Sequence, residues 1–346
     1  MAMTLSAQQT EKQVATLQHG DQTSVFYGID AFKQAYDAAA DTLDVITLSG
    51  GDFNVPNYIS KSIALYGTGF ERDTITGAQR TYLKSSLYLK PADAPDEDGN
   101  TIKAAKRVNG IHIEGVYVDG NIYASSNNDV PIHNLSVVKC RIGHLATEVD
   151  LYDCVIRQSY LYNYVACPSG VHTTAHNFLI SNCHISGFYS TYSGLDFRNF
   201  RENSTILIDH CILGSSYMYG QVRYTNNIIN GWSIPTEAES ANNIFISKSG
   251  TATTITTDGS WYDMKSQGVW AAEGEDGSYA EDKDFALKYP ERYIATDGTQ
   301  IGLHGGTYAW NKTPSLPRIT ECTIDTQNAT NGTLKVSIKA EAQTKE

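Results

Sequence analysis

The stretch 206–213, ILIDHCIL, decides the fold, because the chain repeats it. The same phrase stands at 149–156 as VDLYDCVI, at 178–185 as FLISNCHI and at 135–142 as LSVVKCRI. Copies without cysteine lie on either side, IHIEGVYV at 111–118 and VRYTNNII at 222–229. Cys140, Cys154, Cys183 and Cys211 thus fall on one register, continued by Val116 and Asn227. Apolar residues stand five and three places before the cysteine, at it, and two places after it. Each half has period two, the mark of a short strand. The phase slips between the halves, so a bend separates them. The residue before the cysteine is Asp153, Asn182, His210 or Asn226, with Lys139 as the exception. Asn, Asp and His are the non-glycine residues that best tolerate left-handed backbone. Repetition at this scale predicts a solenoid whose turns bury their apolar faces on one another.

One left-handed residue bending two strands resembles the tight asparagine turn of right-handed parallel β-helices, the fold of pectate lyases and many secreted proteins. The resemblance implies an all-β, right-handed parallel β-helix over about 44–250. A second register is expected from Tyr160, Tyr189 and Tyr217, each six residues after a cysteine. The step from Cys140 to Cys154 is about half as long as the two that follow, which makes it the weakest part of the register. The longer steps predict loops at 166–175 and 194–203.

Working outward, residues 1–28 read as a polar arm. The segment 29–40, IDAFKQAYDAAA, places Phe32, Ala35, Tyr36 and Ala39 on one helical stripe. A helix leading into DVITL resembles the N-terminal cap of bacterial β-helix proteins. A cap covers apolar side chains and strand edges at the end of a coil. The β-helix domain is expected to span 29–310. The phrase DGTQIGLHGG at 297–306 resembles the closing turn of secreted bacterial members. Residues 311–346 then predict a β-hairpin around Asn331-Gly332 that packs on the coil. Outward-facing Val155, Leu179, Leu207 and Ile212 are apolar, so a cover is expected over them, with this C-terminal segment favoured. The helix-strand entry, the Asn-Cys coils and the closing glycines together resemble secreted β-helix proteins of gut Bacteroidetes.

Composition narrows the function. The 346 residues carry a net charge of −12. That disfavours nucleic acid and anionic membranes, which call for basic patches. No transmembrane run is read, and no apolar signal segment fits within 1–6. Secretion or surface display is expected from the resemblance. Of six cysteines, four take inward positions as small hydrophobes, and Cys167 and Cys322 stand outside the register. The acidic loop PADAPDEDGN at 91–100 offers Asp93, Asp96, Glu97 and Asp98 to calcium. Its spacing is not that of an EF-hand, so it reads first as a solvated loop.

Two classes of function stand beside each other. Tyrosines crowd SYLYNYV, FYSTYSG and SSYMYGQVRY, and a row of Tyr162, Tyr192 and Tyr219 would suit an extended glycan. The alternative is a calcium-assisted polysaccharide lyase. ILIDHC resembles the W-I-D-H-C phrase of pectate lyases, with Leu207 in place of the tryptophan and without that family's arginine phrase. A lyase needs a cationic group for the uronate carboxylate and a base for its α-proton. Asp196, Arg198, Arg201, Asp209 and Arg223 are the candidates. His210 has a structural explanation as well, since it occupies the turn position of Asn182 and Asn226. A polysaccharide or surface glycan is the expected partner, with binding favoured over cleavage. A third reading is a structural surface or adhesin component.

Overall fold

The structure, a computed structural model, describes residues 13–40, 43–74, 77–95, 98, 101–106, 108–125, 130–167, 171–186, 194–197, 199–214, 217–219, 222–230, 238–246, 257–324 and 336–341. It is mostly β, and three long sheets dominate the described residues. From Asp44–Leu48 onward each pairing within them is parallel. The chain visits the sheets in a fixed order. Ile206–Asp209 lies in the first, Ile212–Leu213 in the second and Tyr217–Tyr219 in the third, and the chain then returns to the first at Arg223–Thr225. This pattern is compatible with a β-helix-like solenoid.

Period two in the first sheet turns one apolar side chain per turn inward. The column Ile46, Leu65, Ile113, Val137, Ile156, Ile180, Ile208, Tyr224 follows the strand register and is fully buried. Each such side chain contributes roughly 1.5–3 kcal/mol on leaving water.

The bend between the first and second sheets is left-handed, as the sequence predicts. Gly115, Lys139, Gln158, Asn182, His210, Asn226, Asn242 and Gly259 stack there, all with φ between 49° and 71°. The residue after each of these faces inward. Along that inner line, Cys140 N–H donates to Ser159 Oγ (3.1 Å), Cys183 N–H to Cys211 Sγ (3.4 Å) and Cys211 N–H to Asn227 Oδ1 (2.8 Å). Asn227 N–H continues to Asn243 Oδ1, and Asn243 N–H to Ser260 Oγ. At Ser159, Cys211, Asn227, Asn243 and Ser260 the side chain on this line supplies an acceptor to a neighbouring N–H. Cys211→Val is therefore expected to strand the Cys183 N–H and cost about 1–3 kcal/mol. Cys211→Ser should cost less, and urea unfolding of the two variants checks the difference.

This line corrects the register of Cys154. That residue lies at another corner, between Leu151–Tyr152 and Val155–Arg157, behind left-handed Asp153. Ser159 takes the place next to Cys140. The short Cys140 to Cys154 step is thus a step between two corners of one turn. Asn134, Asp153 and Asn177, each with φ 54°, stack at this second corner, where Asn177 Nδ2 donates to Asp153 (2.8 Å). The tyrosine register changes likewise. Tyr160 pairs with His184 in the second sheet, whereas Tyr217 pairs with Gly194 in the third, and Tyr189 lies outside the described residues.

The described part of the N-terminal segment is not an arm. Val14–His19 and Gln22–Tyr27 form a hairpin that extends the first sheet, with Val14–His19 antiparallel to Asp44–Leu48. Ala15 and Leu17 turn inward, and Gly20 (φ 57°) makes the turn. The helix Ala31–Ala38 follows and buries Ala31, Phe32, Ala35 and Tyr36 in the main core. Lys61 Nζ donates to the carbonyls of Tyr36, Asp37 and Ala39, a cation at the helix C-terminus.

Two segments cover the outside. Val269, Trp270, Phe285, Leu287, Tyr293, Ile301 and Leu303 pack over Ile212, Ile228, Ile244 and Ile246 of the second sheet. The cover of Ile212 therefore comes from before residue 311, not from the last segment. Val155, Leu179 and Leu207 stay half-buried on the first sheet. Residues 294–317 then run as a strap along the left-handed ladder. Asn242 Nδ2 donates to the Ile294 carbonyl, Asn182 Nδ2 to those of Leu303 (3.0 Å) and Gly305 (2.8 Å), and Gln158 Nε2 to that of Ala309 (2.5 Å). Further along, Ser315 N–H donates to Glu114 (2.6 Å). The glycines of the closing phrase are steric. A Cβ on Gly305 would overlap the Gln300 carbonyl and press on the His210 ring. Beyond the strap, Arg318–Ile324 and Val336–Glu341 pair as the expected antiparallel hairpin; its turn at Asn331-Gly332 lies outside the described residues.

Candidate functional site

The second sheet carries a column of outward side chains, one per turn. In register it reads Asp52, Tyr82, Tyr117, Arg141, Tyr160, His184, Ile212, Ile228, Ile244, Trp261. The aliphatic half lies under the cover described above. The tyrosine and arginine half is where that cover ends. Tyr279 stacks on Tyr160 with centroids 3.6 Å apart, and its hydroxyl donates to Glu71. Glu281 reaches Arg141 at 3.4 Å.

Beyond that border Arg80, Tyr82, Tyr117, Asp119, Arg141 and Tyr162 form an open cluster. The Arg80 guanidinium lies 5.1 Å from the Tyr82 ring and 4.8 Å from that of Tyr117. Arg141 lies 4.5 Å from Tyr117 and 5.9 Å from Tyr162. Tyr82 and Tyr117 meet edge to face at 4.9 Å. These contacts hold long side chains in place, with Arg80, Tyr82, Tyr117, Arg141 and Tyr162 half-buried and Asp119 exposed. Loss of hydration pushes the Tyr82 hydroxyl up to about 12, with its hydrogen bond to Asp119 adding to the effect. Burial raises Tyr162 as well, followed by the charge effects of Tyr117 and Asp119. The Tyr82 and Tyr162 phenols are therefore neutral at ordinary pH.

The residues singled out from sequence are spread over the molecule. Asp209 belongs to the strap corner: it accepts from His210 Nδ1 (2.9 Å), Thr225 Oγ1 (2.6 Å) and Asn226 Nδ2 (2.8 Å). Burial pushes its carboxyl up, but the hydrogen bonds from His210, Thr225 and Asn226 outweigh this and hold it below the usual range. His210 is buried, with Nε2 3.3 Å from the Thr299 hydroxyl, so the ILIDHC phrase has a structural role here. Arg223 is exposed on the first sheet, 3.9 Å from Glu239. It lines a groove of about 510 Å³ with Leu179 and Leu207. Arg201 is exposed before that sheet, its N–H bonded to the Thr173 carbonyl. Asp196 stands in a strand of the third sheet, Gly194–Asp196, not in a loop. Asp209 and Arg223 share a face, while Asp196 lies on a different sheet.

Among the tyrosines, Tyr162 joins the arginine cluster. Tyr219 pairs with Asp196 in the third sheet, so the two do not form one row. Arg198 and Tyr192 lie outside the described residues, as do the side chains of Asp93, Asp96 and Glu97. Among the described residues no group of three or more His, Cys, Asp or Glu could hold a metal ion. No described helix is long and apolar enough to cross a membrane.

Sequence reading missed Arg80, Tyr82, Tyr117 and Arg141. Their signal was available, because each of the last two directly follows a residue of the inner line, Val116 or Cys140. Compared with protein-family models, curated proteins and solved structures, the chain matches none.

Proposed function

We propose that this chain is an extracellular carbohydrate-binding protein built as a right-handed parallel β-helix. In this reading the helix Ala31–Ala38 caps one end and the strap 294–317 locks one corner. The observation that carries it is the open Arg80, Tyr82, Tyr117, Arg141, Tyr162 cluster. It offers guanidinium and phenol donors together with aromatic edges, the groups that engage sugar hydroxyls and C–H faces. Neighbouring strands lie roughly 4.8 Å apart, so a polymer lying along Tyr82, Tyr117 and Arg141 would meet an aromatic or guanidinium group at each strand. The ring and guanidinium contacts fix these side chains before any ligand arrives, which lowers the entropy cost of binding.

Size-exclusion elution of a polysaccharide panel with and without the protein tests this. One glycan is expected to elute earlier, with the protein co-migrating. Tyr117→Ala removes a ring contacted by both arginines and should weaken retention roughly tenfold, an aromatic contact plus a cation–π term. Arg80→Gln should weaken it as well, with urea stability near that of the parent. Later elution of any glycan would replace binding by cleavage, and no shift for the whole panel would sink the proposal.

A further inference from the structure

The column's open end runs into a second concavity. Lys84 stands two residues after Tyr82 and enters a pocket of about 520 Å³ lined by Lys33, Asn54, Asn57, Tyr58, Ser85 and Tyr88, among others. Three segments build it: the cap helix, the connection 54–58, and the corner between the second and third sheets. Tyr58 and Tyr88 are among the more exposed large side chains of the protein, at 53% and 40%. Neither is loose. Tyr88 stacks on Tyr123 with centroids 5.0 Å apart and planes at 15°. Lys90 lies 4.9 Å from the Tyr58 ring centroid. The Ile59 N–H donates to the Tyr88 carbonyl, tying the two tyrosine-bearing segments together.

The charge of this pocket runs against that of the chain. The protein has 38 acidic and 26 basic residues, yet no carboxylate lines the pocket. Its two lysines, Lys33 and Lys84, have no ion-pair partner among the described residues. Fixed rings, amide and hydroxyl groups and unpaired ammonium groups in one concavity define a ligand with an apolar ring face, several hydroxyls and a negative charge. We propose that this pocket binds an anionic sugar, a pyranose bearing a carboxylate or a sulfate ester, as the charge-reading subsite of the glycan surface. The inference rests on the carbohydrate-binding reading and adds to it the sign of the ligand.

Isothermal titration calorimetry with three oligosaccharides of equal length tests it: one neutral, one bearing a uronate and one bearing a sulfate ester. An anionic oligosaccharide is expected to bind at least tenfold more tightly than the neutral one. The Lys33→Gln/Lys84→Gln double variant should lose roughly tenfold of that preference, as should 0.5 M salt, as expected for screened surface charge pairs. Lys84→Arg keeps the charge and should keep the preference, which separates charge reading from a folding defect. The response to uronate against sulfate identifies the anionic group. Equal affinity for neutral and anionic oligosaccharides overturns the inference, as does a preference that survives in the double variant. If neutral binding persists and only Tyr117→Ala removes it, this subsite falls while the carbohydrate-binding reading stands. No binding of any of the three removes both.

Discussion

Asn226→Ala is expected to destabilise the protein by about 3 kcal/mol or more, the sum of a strained backbone and lost hydrogen bonds at a buried corner. Asn226 has φ 60°, a conformation that asparagine tolerates and alanine resists. Its side chain does three things at once. Nδ2 donates to Asp209 (2.8 Å) and to the Thr296 hydroxyl (3.0 Å), and Oδ1 accepts from the Thr296 N–H (2.8 Å). Its carbonyl also accepts from the Gly302 N–H (2.8 Å). The residue therefore joins the corner between the first and second sheets to the strap and orients the carboxylate that holds His210. Asn226→Gly separates the contributions, since glycine accepts the left-handed backbone and lacks only the side chain. Urea unfolding should rank parent, Asn226→Gly and Asn226→Ala in descending stability. An alanine variant within about 1 kcal/mol of the parent would mean that the ladder does not hold the strap.

The second large effect is a loss of stability in mild acid, driven by buried histidine. His184 is fully buried, and burial pushes its pKa down to about 4. The neutral ring is well served: Nε2–H donates to the Gly277 carbonyl (2.8 Å), and Nδ1 faces the Ser186 hydroxyl (3.3 Å). His144, beside Tyr123 in an edge contact, is likewise lowered by burial to about 4. Between about pH 6.5 and 4 the unfolded chain takes up protons that the folded chain refuses. Stability is therefore complete above the unfolded value and is lost as pH falls toward the folded one. For His184 alone the loss is on the order of 3 kcal/mol. Urea midpoints at pH 7, 5.5 and 4.5 should fall in that order. His184→Gln, which cannot titrate, should lower stability at pH 7 and flatten the decline. A parent midpoint constant across this range would show that His184 is protonated in the folded state.

Legibility in the sequence followed locality. The left-handed corner could be read from Asn182, His210 and Asn226 because a backbone conformation constrains the residue that adopts it. Lys139 and Gln158 adopt the same conformation without being typical of it, so nothing in the sequence marks the turn at 158 and the cysteine pattern points to Cys154 instead. The closing glycines were legible as a phrase, but their function was not. Gly305 sits where the Gln300 carbonyl and the His210 ring together leave no room for a Cβ, and nothing local to 297–306 announces residue 210. The N-terminal hairpin was missed because VATLQH and QTSVFY are short and half polar, and Asp44–Leu48, the partner of Val14–His19, lies beyond the helix Ala31–Ala38.

The candidate site divides in the same way. Tyr162 was legible as one of many tyrosines, but its neighbours Arg80, Tyr117 and Arg141 come from three other turns. Successive passes through the three sheets differ in length: the inner line steps by 28 residues from Cys183 to Cys211 and by 16 from there to Asn227. With unequal steps, spacing along the chain no longer tells which outward side chains stack. The sequence by itself determined the inward apolar columns, the bends and the helix Ala31–Ala38, because period and backbone tolerance are properties of a few adjacent residues. Only the tertiary structure decided which arginine lies against which tyrosine, where the cover ends, and that Lys33 and Lys84, from separate segments, share one pocket. Strand register sets those neighbours, and register is fixed by the whole stack of buried side chains together.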